Sequence, residues 1–111
     1  MKVNYSNEKV RKQCTDLKHA KKLMSEKVAV KLLKLINFIE SADNLSSLTN
    51  YPRYNFHDLK GKNEGLYALD IDGRRSQYRL IVTFEEDKDI VFSRSISIQD
   101  IIIKEVSKHY E

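Results

Sequence analysis

The chain has 111 residues, with 20 Lys and Arg against 16 Asp and Glu, a net charge of +4 and a pI of about 9.1; this suits a polyanionic partner without requiring one. A chain of this length buries a core without covalent staples, and its single cysteine, Cys14, excludes an intrachain disulfide and a cysteine-rich zinc site. No apolar run approaches the ~18 residues of a membrane span, and Met1-Lys2 leads into no signal-like segment, so the expectation is one cytoplasmic domain over residues 1–111 with no membrane association.

Val3-Asn4-Tyr5 has the pattern of a short strand. Ser6-Asn7 is placed to cap a brief helix through Val10, and Thr15-Asp16 to cap another running towards Met24. Lys18-His19-Ala20-Lys21-Lys22 is locally basic, which suits a solvated helix face or a nucleic-acid contact. The clearest helix spans Ser25–Ser41. Val28, Leu32, Leu35 and Ile39 recur at helical spacing, Ala29, Leu33 and Ile36 widen the stripe, and Lys27, Lys31, Lys34 and Glu40 fill the other side. Leu45-Ser46-Ser47-Leu48 adds one more turn. Pro52 then ends the helical half.

From Tyr54 the period changes to two. Leu66–Asp72 places Tyr67, Leu69 and Ile71 on one face, with Ala68, Asp70 and Asp72 on the other. Tyr78–Glu85 places Tyr78, Leu80, Val82 and Phe84 towards a core, with Arg79, Ile81 and Thr83 turned away. Short turns at Asp72-Gly73 and Glu86–Asp89 imply antiparallel pairing. Ile90–Ser95 reads as a further strand, and the β-branched content of Ile101–Val106 favours a strand there too. The expected fold is therefore α+β: N-terminal helices on one face of a mainly antiparallel sheet, with the other face open.

The open face is where chemistry is expected. Arg79 has two readings: an ion pair with Asp70 or Asp72, or a fixed fork for phosphate oxygens. Lys60 and Lys62 flank Gly61, and Arg74 and Arg75 occupy the next turn, so two turns gather five cations with Arg79. His57, just before Leu59-Lys60-Gly61, supplies an imidazole beside them. His109 and Tyr110 near the end are a third anchor. His19, His57 and His109 are too scattered for a metal site. Asp70-x-Asp72-Gly73 lacks the further oxygen ligands of a calcium loop and reads as a hairpin turn. No Walker or dinucleotide motif is present, and neither metal nor cofactor is expected.

Three segments together resemble a known family. His57-x-Leu59-Lys60-Gly61, Gly65-x-Tyr67-Ala68-x-Asp70 and Tyr78-Arg79-Leu80-Ile81 with Phe84, followed by a terminal strand ending in His109-Tyr110, are similar to the HigB-type branch of the RelE/ParE toxin superfamily. The likeness covers residues 50–111, and the preceding helices by type and order only. It implies a RelE-like architecture and a ribosome-dependent mRNA endoribonuclease, neutralised by a cognate antitoxin of helix-turn-helix, HigA-like type. The ParE branch instead implies gyrase inhibition, and a basic face alone would also suit a non-catalytic RNA- or protein-binding module. By resemblance, His57 is the catalytic histidine, Arg79 contacts the scissile phosphate, and Lys60 supports RNA binding. Many members end Asp-Tyr-His, whereas Lys108-His109-Tyr110-Glu111 stands here. The resemblance therefore leaves open which of His109 and Tyr110 meets the leaving oxygen.

Overall fold

A computed structural model of the chain describes residues 1–74 and 76–108. The order is β1 (Lys2–Tyr5), α1 (Glu8–Thr15), α2 (Leu17–Ala20), α3 (Glu26–Ser41), α4 (Ser46–Thr49), a 3-10 turn (Pro52–Tyr54), β2 (His57–Asp58), a second 3-10 turn (Gly61–Asn63), β3 (Tyr67–Asp70), β4 (Arg79–Thr83), α5 (Lys88–Ser93), a third 3-10 turn (Ser95–Ser97) and β5 (Asp100–Ser107). The strands form one sheet in the order β1-β5-β4-β3-β2. β1 runs parallel to β5 and every other pairing is antiparallel. The architecture is the expected α+β arrangement.

α3 carries the packing. The Ser25 hydroxyl accepts from the Val28 amide at 3.3 Å and satisfies one of the free donors at the helix start. Ala29, Leu32, Leu35, Ile36 and Ile39 are all buried, matching the apolar stripe of the sequence. They meet Tyr67, Leu69, Leu80, Val82, Ile101 and Ile103 in one continuous core. The Met1 amino group donates to the Ile39 and Glu40 carbonyls, both at 3.2 Å. A cation at the negative end of the α3 dipole ties β1 to that helix.

Three expectations change. α1 continues past Val10 to Thr15, held by the Asn7 side chain accepting from the Val10 amide at 3.0 Å. α2 is capped by Asp16 as expected but stops at Ala20 instead of reaching Met24. Ile90–Ser95 is not a strand. Lys88–Ser93 forms α5, capped by the Asp87 carboxylate accepting from the Ile90 amide at 3.2 Å, with Asp89 in the first turn where the helix dipole favours negative charge. The β-branched run misled because helix propensity differs by only ~0.7 kcal/mol per ordinary residue. A six-residue apolar segment does not fix its own period either, and burying Val91 alone satisfies one turn of helix.

Leu35→Ala, which removes a fully buried side chain, is expected to cost about 2–5 kcal/mol in chemical denaturation. Asp87→Ala is expected to cost about 1 kcal/mol through the lost cap; a neutral result would contradict the helical assignment of α5.

Candidate active site on the open sheet face

Register decides which side chains share the open face. His57 stands opposite Ala68, Ala68 opposite Ile81, and Ile81 opposite Glu105. In the neighbouring row Asp70 stands opposite Arg79, and Arg79 opposite Ser107. Directly paired residues point the same way, so His57, Arg79 and Glu105 lie on one face, away from the α3 side. Leu59, Ala68 and Ile81, each at most 3% exposed, form a small second core there, with Leu66 against it. That apolar floor separates His57 on β2 from β4 by two strand spacings, about 10 Å. Their long side chains, not their backbones, would have to converge.

His57 is oriented by its own loop. The 3-10 turn Pro52–Tyr54 ends at Asn55, a left-handed residue with φ 48° and ψ 49°. The Asn55 carbonyl lies 2.6 Å from His57 Nδ1. A carbonyl only accepts, so Nδ1 donates, and in the neutral ring Nε2 is the nitrogen with a free lone pair. The half-buried imidazole is thus presented with one defined proton-accepting atom.

Arg79 realises the first of its two readings and retains a remnant of the second. Its Nε lies 3.0 Å from Asp70 Oδ1; the Arg79 side chain is 17% exposed and the Asp70 side chain 1%. Nη1 donates to the carbonyls of Ser76 and of Tyr78, the latter at 2.9 Å, and Nη2 to that of Arg74 at 3.4 Å. Of the five N–H groups of a guanidinium, the backbone carbonyls take three, and Nε faces Asp70 as an ion pair. Neither oxygen of the Asp70 carboxylate has a hydrogen-bond partner among the described residues, so its buried charge depends on the ion pair with Arg79.

Lys60, Lys62 and Arg74 are exposed, and among the described residues none forms a salt bridge. Lys60 precedes the second 3-10 turn and Lys62 lies in it. That turn opens on Gly61 at φ +67°, a left-handed position that glycine adopts without strain. Arg75, His109 and Tyr110, also expected at the site, lie outside the described residues. Glu105 is a half-buried carboxylate in the same row as His57 that simple strand alternation misses. A register shift between Ile81 and Val82 pairs Ile103 with Val82 but Glu105 with Ile81. The extra residue, Lys104, moves Glu105 off the core face to which alternation from Ile101 and Ile103 would assign it.

Asp58, the neighbour of His57, faces the other way and lies 2.9 Å from Lys88 Nζ, tying β2 to α5. Hydrogen bonding to Lys88 holds its carboxyl below the usual aspartate range. Cys14 is no nucleophile: burial pushes its thiol up to about 12. Among the described residues no group of three His, Cys, Asp or Glu is arranged to hold a metal ion, and no helix is long and apolar enough to cross a membrane.

No protein-family model matches the chain, and no curated protein matches it. A solved structure of similar fold is a YoeB/ParE toxin from Agrobacterium tumefaciens. It superposes with a TM-score of 0.52 at 15% identity, over 99% of this chain and 100% of that one. At that identity the likeness establishes the fold.

Arg79→Ala is expected to destabilise the protein by roughly 3 kcal/mol or more in urea, because Asp70 is left buried and unpaired, and Arg79→Lys by less. Asp58 gives a pH signature. Its depressed folded value means that its contribution, up to about 1 kcal/mol, is present above the unfolded aspartate range near pH 4 and lost as pH falls through the folded value. Asp58→Asn should flatten the stability profile between pH 5 and pH 3.

Proposed function

We propose that the chain is the toxin of a type II toxin–antitoxin system, of the HigB-type branch of the RelE/ParE superfamily, and that it cleaves mRNA on the ribosome. One observation carries this reading: His57, its Nδ1 committed to the Asn55 carbonyl, shares the open sheet face with Arg79. The fold likeness to a YoeB/ParE toxin supports the same class.

RNA brings its own nucleophile, so no metal is required. His57 Nε2 takes the proton of the 2′-hydroxyl, the 2′-oxygen attacks phosphorus, and the bond to the 5′-oxygen breaks. The remaining Arg79 N–H and the Lys60 ammonium stabilise charge on the phosphorane oxygens. A donor, His109 or Tyr110 in this reading, protonates the leaving oxygen, and Lys62, Arg74 and Arg75 hold the flanking phosphates. A site with so little of its own substrate geometry gains from a ribosome that aligns the mRNA. The cationic face calls for a cognate antitoxin of HigA-like, helix-turn-helix type that presents an acidic or occluding segment. The work of such a protein is cytoplasmic.

A specific observation favours a second reading. Arg79 has three of its five N–H groups engaged by backbone carbonyls and its Nε turned to Asp70 in an ion pair, which suits a structural strut better than a phosphate fork. A ParE-like protein that binds gyrase without cleaving RNA would need no free guanidinium.

Pulsed expression separates the two. The ribonuclease reading predicts growth arrest with new mRNA 5′ ends inside translated frames, and a ~10²–10⁴-fold slower cleavage in folded His57→Gln. Arrest with intact mRNA and an induced DNA-damage response would instead support the gyrase reading, and His57→Gln that cleaves at the wild-type rate would overturn the mechanism.

A further inference from the structure

On the helical side of the molecule a second cationic surface has a different construction. Lys31 and Lys34 lie one turn apart on α3, and the 3-10 turn Pro52–Tyr54 brings Arg53 and Tyr54 against them. With Ile71 these side chains line a pocket of ≈190 Å³. Among the described residues, none of the three cations forms a salt bridge. Phe38, four residues beyond Lys34 and so on the same side of α3, stacks on Tyr51 with ring centroids 5.1 Å apart and planes at 21°. Tyr54 completes the group, 5.3 Å from Phe38 and 5.2 Å from Tyr51. Tyr51 is 39% exposed.

Three like charges held around one pocket repel each other unless an anion sits among them. The pocket is below the ~300 Å³ at which small-molecule sites begin, so it suits one charged group of a longer ligand. The rings narrow the choice. An acidic or phosphorylated peptide would use the cations but not a stacking surface, whereas a duplex keeps its bases stacked on one another. Cations that track a backbone beside aromatic rings that accept bases are what an unpaired strand requires. The platform is also pre-set: Pro52 fixes φ at the first position of the turn, and the Asn55 amide closes it on the Pro52 carbonyl at 3.0 Å.

We propose that Lys31, Lys34, Arg53 and Tyr51 form a binding site for single-stranded nucleic acid, with a phosphate seated among the three cations and an adjacent base stacked on Tyr51. The site lies apart from the open sheet face and stands whether or not that face cleaves RNA.

Fluorescence anisotropy with labelled 2′-O-methyl decauridine, which cannot be cleaved, tests this on the full chain. Lys31→Gln with Lys34→Gln should weaken binding and lower the salt slope by up to about 0.7, the contribution of one phosphate contact on a single strand. Tyr51→Leu should weaken binding ~5-fold or more, at an unchanged salt slope. All these positions are at least partly exposed, and an unchanged thermal melt verifies folding. The proposal is overturned if wild type does not bind at 50 mM salt, if only Lys60→Gln with Lys62→Gln reduces affinity, or if polyglutamate competes as well as unlabelled decauridine. His57→Gln retaining full toxicity would overturn the ribonuclease reading and leave this binding result untouched.

Discussion

Everything on the candidate face depends on the pairing register of β2, β3 and β4. A slip of one residue would turn the side chains of the shifted strand to the opposite face and carry His57 or Arg79 under the helices. Three unlike interactions hold the register. Tyr67 opposite Val82 and Leu69 opposite Leu80 fill the main core, while Ala68 and Ile81 are sealed in the smaller one behind them. Asp70 meets Arg79 as a buried ion pair, which permits one alignment of those two strands. The Thr83 hydroxyl donates to the Gly65 carbonyl at 2.7 Å and pins the far end. Apolar burial supplies most of the stabilisation; the ionic and polar contacts select among alignments that apolar burial alone would tolerate.

That arrangement gives Arg79 two competing demands. As the partner of Asp70 it must stay in place, and as an anion ligand it must offer free N–H groups. The backbone carbonyls of Ser76, Tyr78 and Arg74 gather at the same guanidinium, so its position is fixed and little donor capacity is left. The exposed cations, Lys60, Lys62 and Arg74, have the opposite character: free charge on flexible stems, with weak positional information. Charge attraction is thus distributed across turns, and geometry is concentrated in one half-buried imidazole and one anchored arginine.

Much of this was legible in the sequence. The α3 stripe, the faces of β3 and β4 and the passage at Pro52 follow from period and turn chemistry that the structure repeats. The Arg79–Asp70 pair was one of two readings, and burial decided it, which alternation alone does not measure. α5 was missed because Ile90-Val91-Phe92 has strand composition but a helical cap in Asp87. Glu105 was missed because an extra residue in β5 inverts parity midway along the strand, and nothing local in Ile103-Lys104-Glu105 announces a bulge. The convergence of Arg53 and Tyr54 on Lys31 and Lys34 is likewise a product of packing between segments about twenty residues apart.

The strand order has a temporal meaning. β5, the last strand among the described residues, is inserted between β1 and β4, and among those residues β1 pairs with β5 alone. During synthesis the opening strand therefore waits unpaired for residues almost a hundred positions later, a long closure that local structure cannot anticipate. Glu105 and Ser107 join the open face only when that final insertion occurs. A chain made only as far as α5 thus has its helices and the β2–β4 hairpins but not a finished surface, and assembly of that surface is coupled to the arrival of β5.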